Sequence, residues 1–168
     1  MERRKGNDLF VELVRWIDPA LYGRACHIGD AVQSRSGASS ESMLRAIAGT
    51  REARIDFLPS QRMESLVEIY SRNSLIVLPV RYDSFNLVAL EVLLRGCPVV
   101  VSDAAGVCDY LDAELGSIPY VKIEMANFYG VLPEVEHVLS DYASNRRDLI
   151  ERVRQQIHEQ YPASNQMI

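Results

Sequence analysis

Cysteine, tryptophan and histidine are scarce in these 168 residues, at three, one and three. Cys26, Cys97 and Cys108 are odd in number, have no short repeating spacing and lack neighbouring histidine pairs. That argues against a disulfide framework and against a zinc site, and leaves small buried hydrophobes in a reducing compartment. Basic charge is also in short supply: 18 Lys and Arg face 23 Asp and Glu, for a net charge of −5. Proteins that bind long polyanions carry a basic face, so nucleic acid is set aside as a partner while a small anionic ligand stays open. No apolar run approaches membrane-spanning length, and the opening Met1-Glu2-Arg3-Arg4-Lys5 leads into polar residues rather than a signal-peptide core. The expected location is the cytoplasm, with peripheral membrane contact left open.

Hydrophobic residues at 48% and charged residues at 24% are ordinary for a globular domain. The length predicts one domain over residues 1–168, of which about 145–168 form a C-terminal helix and tail. Short β-branched runs alternate with longer amphipathic stretches, the pattern of an α/β domain with a mostly parallel sheet. The predicted strands are 25–28, 54–58, 75–79, 98–101 and 119–122. The third and fourth carry almost no polar residue, as strands covered on both faces do. Leu9, Leu13, Val14 and Ile17 recur at helical spacing, as do Met43, Leu44 and Ile47, then Leu66, Ile69 and Tyr70. Val131, Val135, Val138 and Leu139 predict a further helix, and Leu149, Val153 and Ile157 a last one. The Ser- and Gly-rich stretch 33–42 is too short to divide the chain.

The segment from Leu75 to Leu111 carries the chemistry. It reads strand, loop, helix, strand, loop, helix. The helix between Asn86 and Arg95 is apolar almost all round, which predicts burial, and only Glu91 interrupts it. An ionised carboxylate there is costly unless something donates to it. Two readings stand: Glu91 pairs with Arg95 four residues on, or it awaits the hydroxyls of a ligand. Asp83-Ser84-Phe85-Asn86 precedes this helix at a strand's carboxyl end, where open parallel sheets hold ligands. The amides opening the helix would face an anion. Asp83, Ser84 and Asn86 are also all suited to capping the helix. Gly96-Cys97-Pro98 closes the helix, and Ser102 to Val107 brings a second loop and helix start to the same edge. Arg4-Lys5-Gly6 places two cations ahead of the first helix, suited to a diphosphate.

These residues resemble a family. The stretch from Asp83 through Glu91, Gly96-Cys97-Pro98-Val99-Val100 and Ser102-Asp103-Ala104-Ala105-Gly106 is similar to the donor-binding signature of retaining group 1 (GT4-type) glycosyltransferases of the GT-B fold. That signature reads Glu-x7-Glu, then Gly-Thr-Pro-Val-Val, then a Gly-Gly loop. Arg4-Lys5-Gly6-Asn7-Asp8-Leu9 resembles the family's basic-glycine stretch, and His27-Ile28-Gly29-Asp30 its strand ending in Gly-Asp. The resemblance covers about residues 3 to 112.

It implies a Rossmann-like three-layer α/β/α domain, one half of a GT-B architecture, that binds a UDP-, GDP- or ADP-linked sugar for transfer to an acceptor with retention of configuration. The setting it implies is glycan, polysaccharide or glycolipid synthesis, by a hexosyltransferase-like enzyme. Residue by residue, Glu91 would bind the ribose hydroxyls and Arg4 and Lys5 the diphosphate. Ser84, Phe85, Asn86 and Leu87 would approach the distal phosphate and sugar, and Asp83 would take the catalytic first-glutamate position. No metal or other cofactor is implied. Asp83 is one methylene shorter than the family's glutamate, and Asn86 and Ala105 stand where glycine is common. The resemblance further implies an N-terminal acceptor domain and a central first strand ahead of Arg4, neither found in these residues, so the chain alone is expected to be inactive. A non-catalytic nucleotide-sugar-binding module, a nucleotide-sugar epimerase of the same fold type, and a structural α/β domain are the competing readings.

Overall fold

Val99, Val100 and Val101 are each wholly buried. Because successive strand residues point to opposite faces, such a run requires cover on both sides of the sheet. The computed structural model, which describes residues 3–33, 37, 39–72, 75–114 and 120–141 together with 151, 155 and 159, supplies that cover. The strands are β1 (Ala25–Ile28), β2 (Ile55–Leu58), β3 (Ile76–Leu78), β4 (Val99–Ser102) and β5 (Val121–Ile123). The helices are α1 (Asn7–Trp16), α2 (Ser40–Ala48), α3 (Met63–Arg72), α4 (Leu87–Leu94), α5 (Val107–Glu114) and α6 (132–141).

Val99 and Val101 face a core built from α3, α4 and α5, through Tyr70, Val92, Leu93 and Leu111. Val100 faces the other way, toward Leu13 of α1, Ile17 just past its end, and Val135 and Leu139 of α6. A third cluster joins Val11 and Val14 of α1 to Leu44 of α2 and Ile55 of β2. The result is three layers, α/β/α, with every strand pair parallel. The sheet is divided in two, however. β1 pairs with β2, β3 with β4 and β4 with β5, so the strands form two sheets with no described strand joining them.

Strand positions agree with the sequence reading to within about two residues, and β4 runs one residue further, to Ser102. The hydroxyl of Ser102 is buried and donates to the Val80 carbonyl, which satisfies both groups. α2 starts where Ser39 accepts a hydrogen bond from Ser42 N at 3.0 Å, an N-cap within the Ser-rich stretch. α4 stops in a Schellman arrangement, with Gly96 N bonded to Leu93 O at 2.8 Å and Cys97 N to Val92 O at 3.2 Å. The helix expected over Leu149, Val153 and Ile157 and the tail from Pro162 lie outside the described residues. Among the described residues no helix is long and apolar enough to cross a membrane.

Candidate functional site

Arg3–Lys5 form one 3-10 turn that seats Gly6 against the end of β3. Gly6 has φ +69, and a Cβ built there would lie 1.8 Å from the Pro79 carbonyl oxygen. Only glycine permits that approach. The turn is then held from β3's exit: Arg81 N donates to Arg4 O at 2.8 Å, and the Arg81 guanidinium donates to Arg3 O at 3.0 Å. The same guanidinium forks onto Asp8 of α1 at 2.6 and 2.7 Å. Burial would raise the Asp8 carboxyl, but the Arg81 hydrogen bonds and charge outweigh it and hold the group below its ordinary value.

This clamp delivers two cations to the loop before α4. Lys5 Nζ donates to Asp83 Oδ2 at 3.1 Å, and Arg4 lies 3.8 Å from the same oxygen. The other oxygen, Oδ1, accepts from Asn86 N at 3.2 Å and Phe85 N at 3.4 Å. Burial pushes the Asp83 carboxyl up, yet the Lys5 bond and charge and these two amides bring it below the usual carboxylate value. Asp83 is thus an anion held by two cations and two backbone amides. A second loop braces it, for Gly106 N donates to Asp83 O at 3.0 Å and a Cβ on Gly106 would lie 2.2 Å from Ser84 O.

Of the three capping candidates, Asn86 occupies the N-cap position of α4 without a side-chain cap bond. Its backbone is left-handed, φ 56 and ψ 72. Asparagine is one of the few residues besides glycine that tolerate this region, which accounts for asparagine where glycine is common. The prediction that the helix is buried all round needs correcting. Ala89, Val92 and Leu93 are buried, but Leu87 is 65% exposed and Val88 37%. The face that opens to solvent carries Leu87, Glu91 and Arg95 at four-residue intervals. The Glu91–Arg95 carboxylate pairing is also not formed. Arg95 donates at 2.7 Å to the Glu91 main-chain carbonyl, and among the described residues no ion pair joins the two. Glu91 is half-buried, about 6 Å along the helix axis from Leu87.

The structure therefore brings Arg4, Lys5, Asp83, Phe85 and Asn86 into direct contact and leaves Leu87 and Glu91 further along the same helix. All sit at the carboxyl edge of the sheets, with Gly29 and Asp30 after β1 and Pro59 to Gln61 after β2 at the same edge. No group of three or more His, Cys, Asp or Glu among the described residues is placed to hold a metal ion. The thiols of Cys97 and Cys108 are buried, whereas Cys26 is only half-buried, against the expectation for it.

A family model described as a family 4 glycosyltransferase in conflict systems matches residues 3–167. The chain belongs to family 4 of the glycosyltransferases. This family 4 chain is 29% identical over 113 residues to an uncharacterized glycosyltransferase of Methanocaldococcus jannaschii, a match covering 67% of the chain and 28% of that protein. It is 33% identical over 91 residues to the D-inositol 3-phosphate glycosyltransferase of Rhodococcus opacus, covering 53% and 20%. The chain thus spans well under half the length of these relatives. Its fold is that of WaaG, a glycosyltransferase involved in lipopolysaccharide biosynthesis (TM-score 0.71, 17% identity, covering 90% of this chain and 39% of that one). The same holds for sucrose-phosphate synthase of Thermosynechococcus elongatus (TM-score 0.72, 24% identity, 99% and 41%) and Anabaena HepE in complex with UDP (TM-score 0.69, 15% identity, 95% and 42%).

Arg81 and Asp8 are the members of this candidate site whose part the sequence reading missed. They lie 73 residues apart, so no local pattern signals the pair. An arginine two positions past the predicted strand 75–79 is the one available hint.

Proposed function

We propose that this chain is the donor-binding half of a retaining glycosyltransferase, which holds a nucleotide diphosphate sugar for transfer to an acceptor bound elsewhere in the active protein. One observation carries the reading: Arg4, Lys5 and the amides of Phe85 and Asn86 converge on the two oxygens of a single carboxylate. Donors arranged for one anion at the start of a helix suit a phosphate equally well. Anabaena HepE was solved with UDP and with UDP-glucose, which supports a uridine nucleotide as the first ligand to test here.

In this reading Arg4 and Lys5 bind the diphosphate, while Ser84, Phe85, Asn86 and Leu87 line the distal phosphate and sugar. Glu91 accepts the paired ribose hydroxyls, and Asp83 stands beside the transferred sugar. As the glycosidic bond breaks, negative charge grows on the leaving diphosphate. Two cations and the N-terminus of α4 stabilise that charge without reorganising, the role a metal ion takes elsewhere. The chain by itself does not turn over, because the acceptor must be positioned and water excluded by a second domain. Sugar transfer by the purified chain alone would contradict this part.

The test is binding of UDP, GDP, ADP and their sugar conjugates to the purified chain, read by thermal stability and repeated on Glu91→Ala. Ligand at about ten times its Kd adds roughly 1.4 kcal/mol, which moves the midpoint by a few degrees. A nucleotide that shifts the wild type and not Glu91→Ala supports the reading. No shift with any of them sinks it. A second reading, a nucleotide-sugar-binding module without catalysis, draws on the engagement of Asp83 by Lys5 and two amides, which leaves that carboxylate occupied. It predicts that Asp83→Ala in a protein carrying the acceptor domain leaves turnover intact.

A further inference from the structure

Asn86 is 8% exposed, and its carboxamide has no hydrogen-bond partner among the described residues. Both of its main-chain groups are used: Asn86 N donates to Asp83 Oδ1 at 3.2 Å, and Asn86 O accepts from Ala89 N at 3.1 Å. An asparagine at an N-cap ordinarily has an extended backbone and accepts from an amide of the first turn. Here φ 56 and ψ 72 put the backbone in the left-handed region, and that bond is not made. Two costs therefore fall on one position, a left-handed backbone and a buried amide left unmet. Glycine, common at this place in family 4, would incur neither. Strained backbone and unmet buried groups gather where a ligand is held.

The chemistry of the amide selects the ligand group that meets it. Asn86 lines the cavity at the carboxyl edge together with Lys5, Asn7, Gly29 and Asp30. A carboxamide presents an acceptor, Oδ1, and a donor, Nδ2, side by side. Phosphate oxygens only accept, so a diphosphate would meet Nδ2 and leave Oδ1 buried against negative charge. Its donors are in any case already supplied by Arg4, Lys5 and the amides of Phe85 and Asn86. Ribose and base lie the other way, because Glu91 is more than one turn further along α4. What remains beside Asn86 is the sugar on the far phosphate. A hydroxyl both donates and accepts, and two adjacent hydroxyls meet Oδ1 and Nδ2 together.

We propose that the Asn86 carboxamide reads a pair of adjacent free hydroxyls on the donor sugar, accepting from one through Oδ1 and donating to the other through Nδ2. The donor is then a sugar unsubstituted at two neighbouring carbons, and Asn86 is the side chain that separates it from a nucleotide without such a pair. The inference rests on the donor-binding reading above and names the class of sugar which that reading leaves open.

The experiment titrates the purified full chain and its Asn86→Gly variant with UDP, GDP and ADP and with the glucose conjugate of each. For the nucleotide that binds, the conjugate should bind wild type at least about tenfold more tightly than the bare diphosphate, and Asn86→Gly should bind the two alike. Monodeoxyglucose conjugates then locate the pair: loss of either of two adjacent hydroxyls should weaken binding about tenfold in wild type and not in Asn86→Gly. The ligand-free glycine variant should unfold at the wild-type midpoint or above it. A lower midpoint would make Asn86 a structural residue and overturn the proposal. A sugar preference that survives in Asn86→Gly overturns it too, as does a wild type that binds diphosphate and conjugate alike, and both leave the donor-binding reading standing. A wild type that binds none of the nucleotides is the failure of that reading itself, and the proposal falls with it.

Discussion

Lys5 Nζ donates to Asp83 Oδ2 at 3.1 Å, a bond between residues 78 positions apart that ties the first turn of the chain to the loop opening α4. Asp83 therefore occupies the donors that a diphosphate would use. Replacing it by asparagine keeps the shape and removes the competing charge. Asp83→Asn is expected to bind UDP up to about tenfold more tightly, about 1.4 kcal/mol, at low ionic strength. Calorimetric titration at two salt concentrations checks this. Affinity equal to or weaker than wild type would mean that Asp83 does not compete for these groups.

Arg81 is the strut behind that arrangement, since it forks onto Asp8 and also donates to Arg3 O. Its side chain is 30% exposed and that of Asp8 22%, so solvent screens part of the interaction. Arg81→Ala should cost about 1–2 kcal/mol, or about 2–8 °C in a chain of this size. It should also weaken UDP binding by loosening the turn that carries Arg4 and Lys5. Arg81→Lys should recover little, because an ammonium cannot reproduce the two parallel bonds. Thermal unfolding and UDP titration of the three proteins decide the matter, and a lysine variant equal to wild type would count against the clamp.

Acid should expose two separate limbs in the stability profile. Asp8 and Asp83 both have folded values lowered by their cationic partners. Their contribution is present above the unfolded value of about 3.9 and is lost as pH falls through the lower folded values. His27 acts earlier. Burial lowers its value, with the charge of Glu41 opposing. The unfolded chain therefore takes up the proton first, and stability begins to fall below about pH 6.5. Unfolding midpoints between pH 7 and pH 2.5 should show a shallow limb and then a steep one. His27→Asn should remove the first, and Asp8→Asn should flatten the second while being less stable at neutral pH. A profile unchanged by either substitution would refute the assignment.

How far the sequence could be read follows from what each feature depends on. The strands are encoded locally: Val99-Val100-Val101 is apolar at every position, and such a run is at home only between two layers. The loop-helix motif from Asp83 to Glu91 is local too, and so was found. Exposure of Leu87 was not legible, because a run of apolar letters does not say which face a neighbour covers. The left-handed backbone at Asn86 depends on the loops beside it, as does the grip of Lys5 on Asp83. The division into two sheets is a question of partners across the whole chain. A strand reports that it is apolar on two faces, but not whether both its edges are paired.

Gly6 offers the sharpest test of the fold at the site. A methyl group there would sit 1.8 Å from the Pro79 carbonyl oxygen, and both partners are backbone, so neither can swing away. The left-handed φ of +69 adds about 1–2 kcal/mol for a residue with a Cβ. Gly6→Ala should therefore lose at least about 3 kcal/mol, lowering the midpoint by about 6–12 °C or abolishing the cooperative transition. The internal control is Gly23, which is exposed and has nothing within 4 Å of an added Cβ. Gly23→Ala should stay within about 0.5 kcal/mol of wild type. Equal effects at the two positions would mean that Gly6 does not press against β3, and Arg4 and Lys5 would then lose the anchor that aims them at the start of α4.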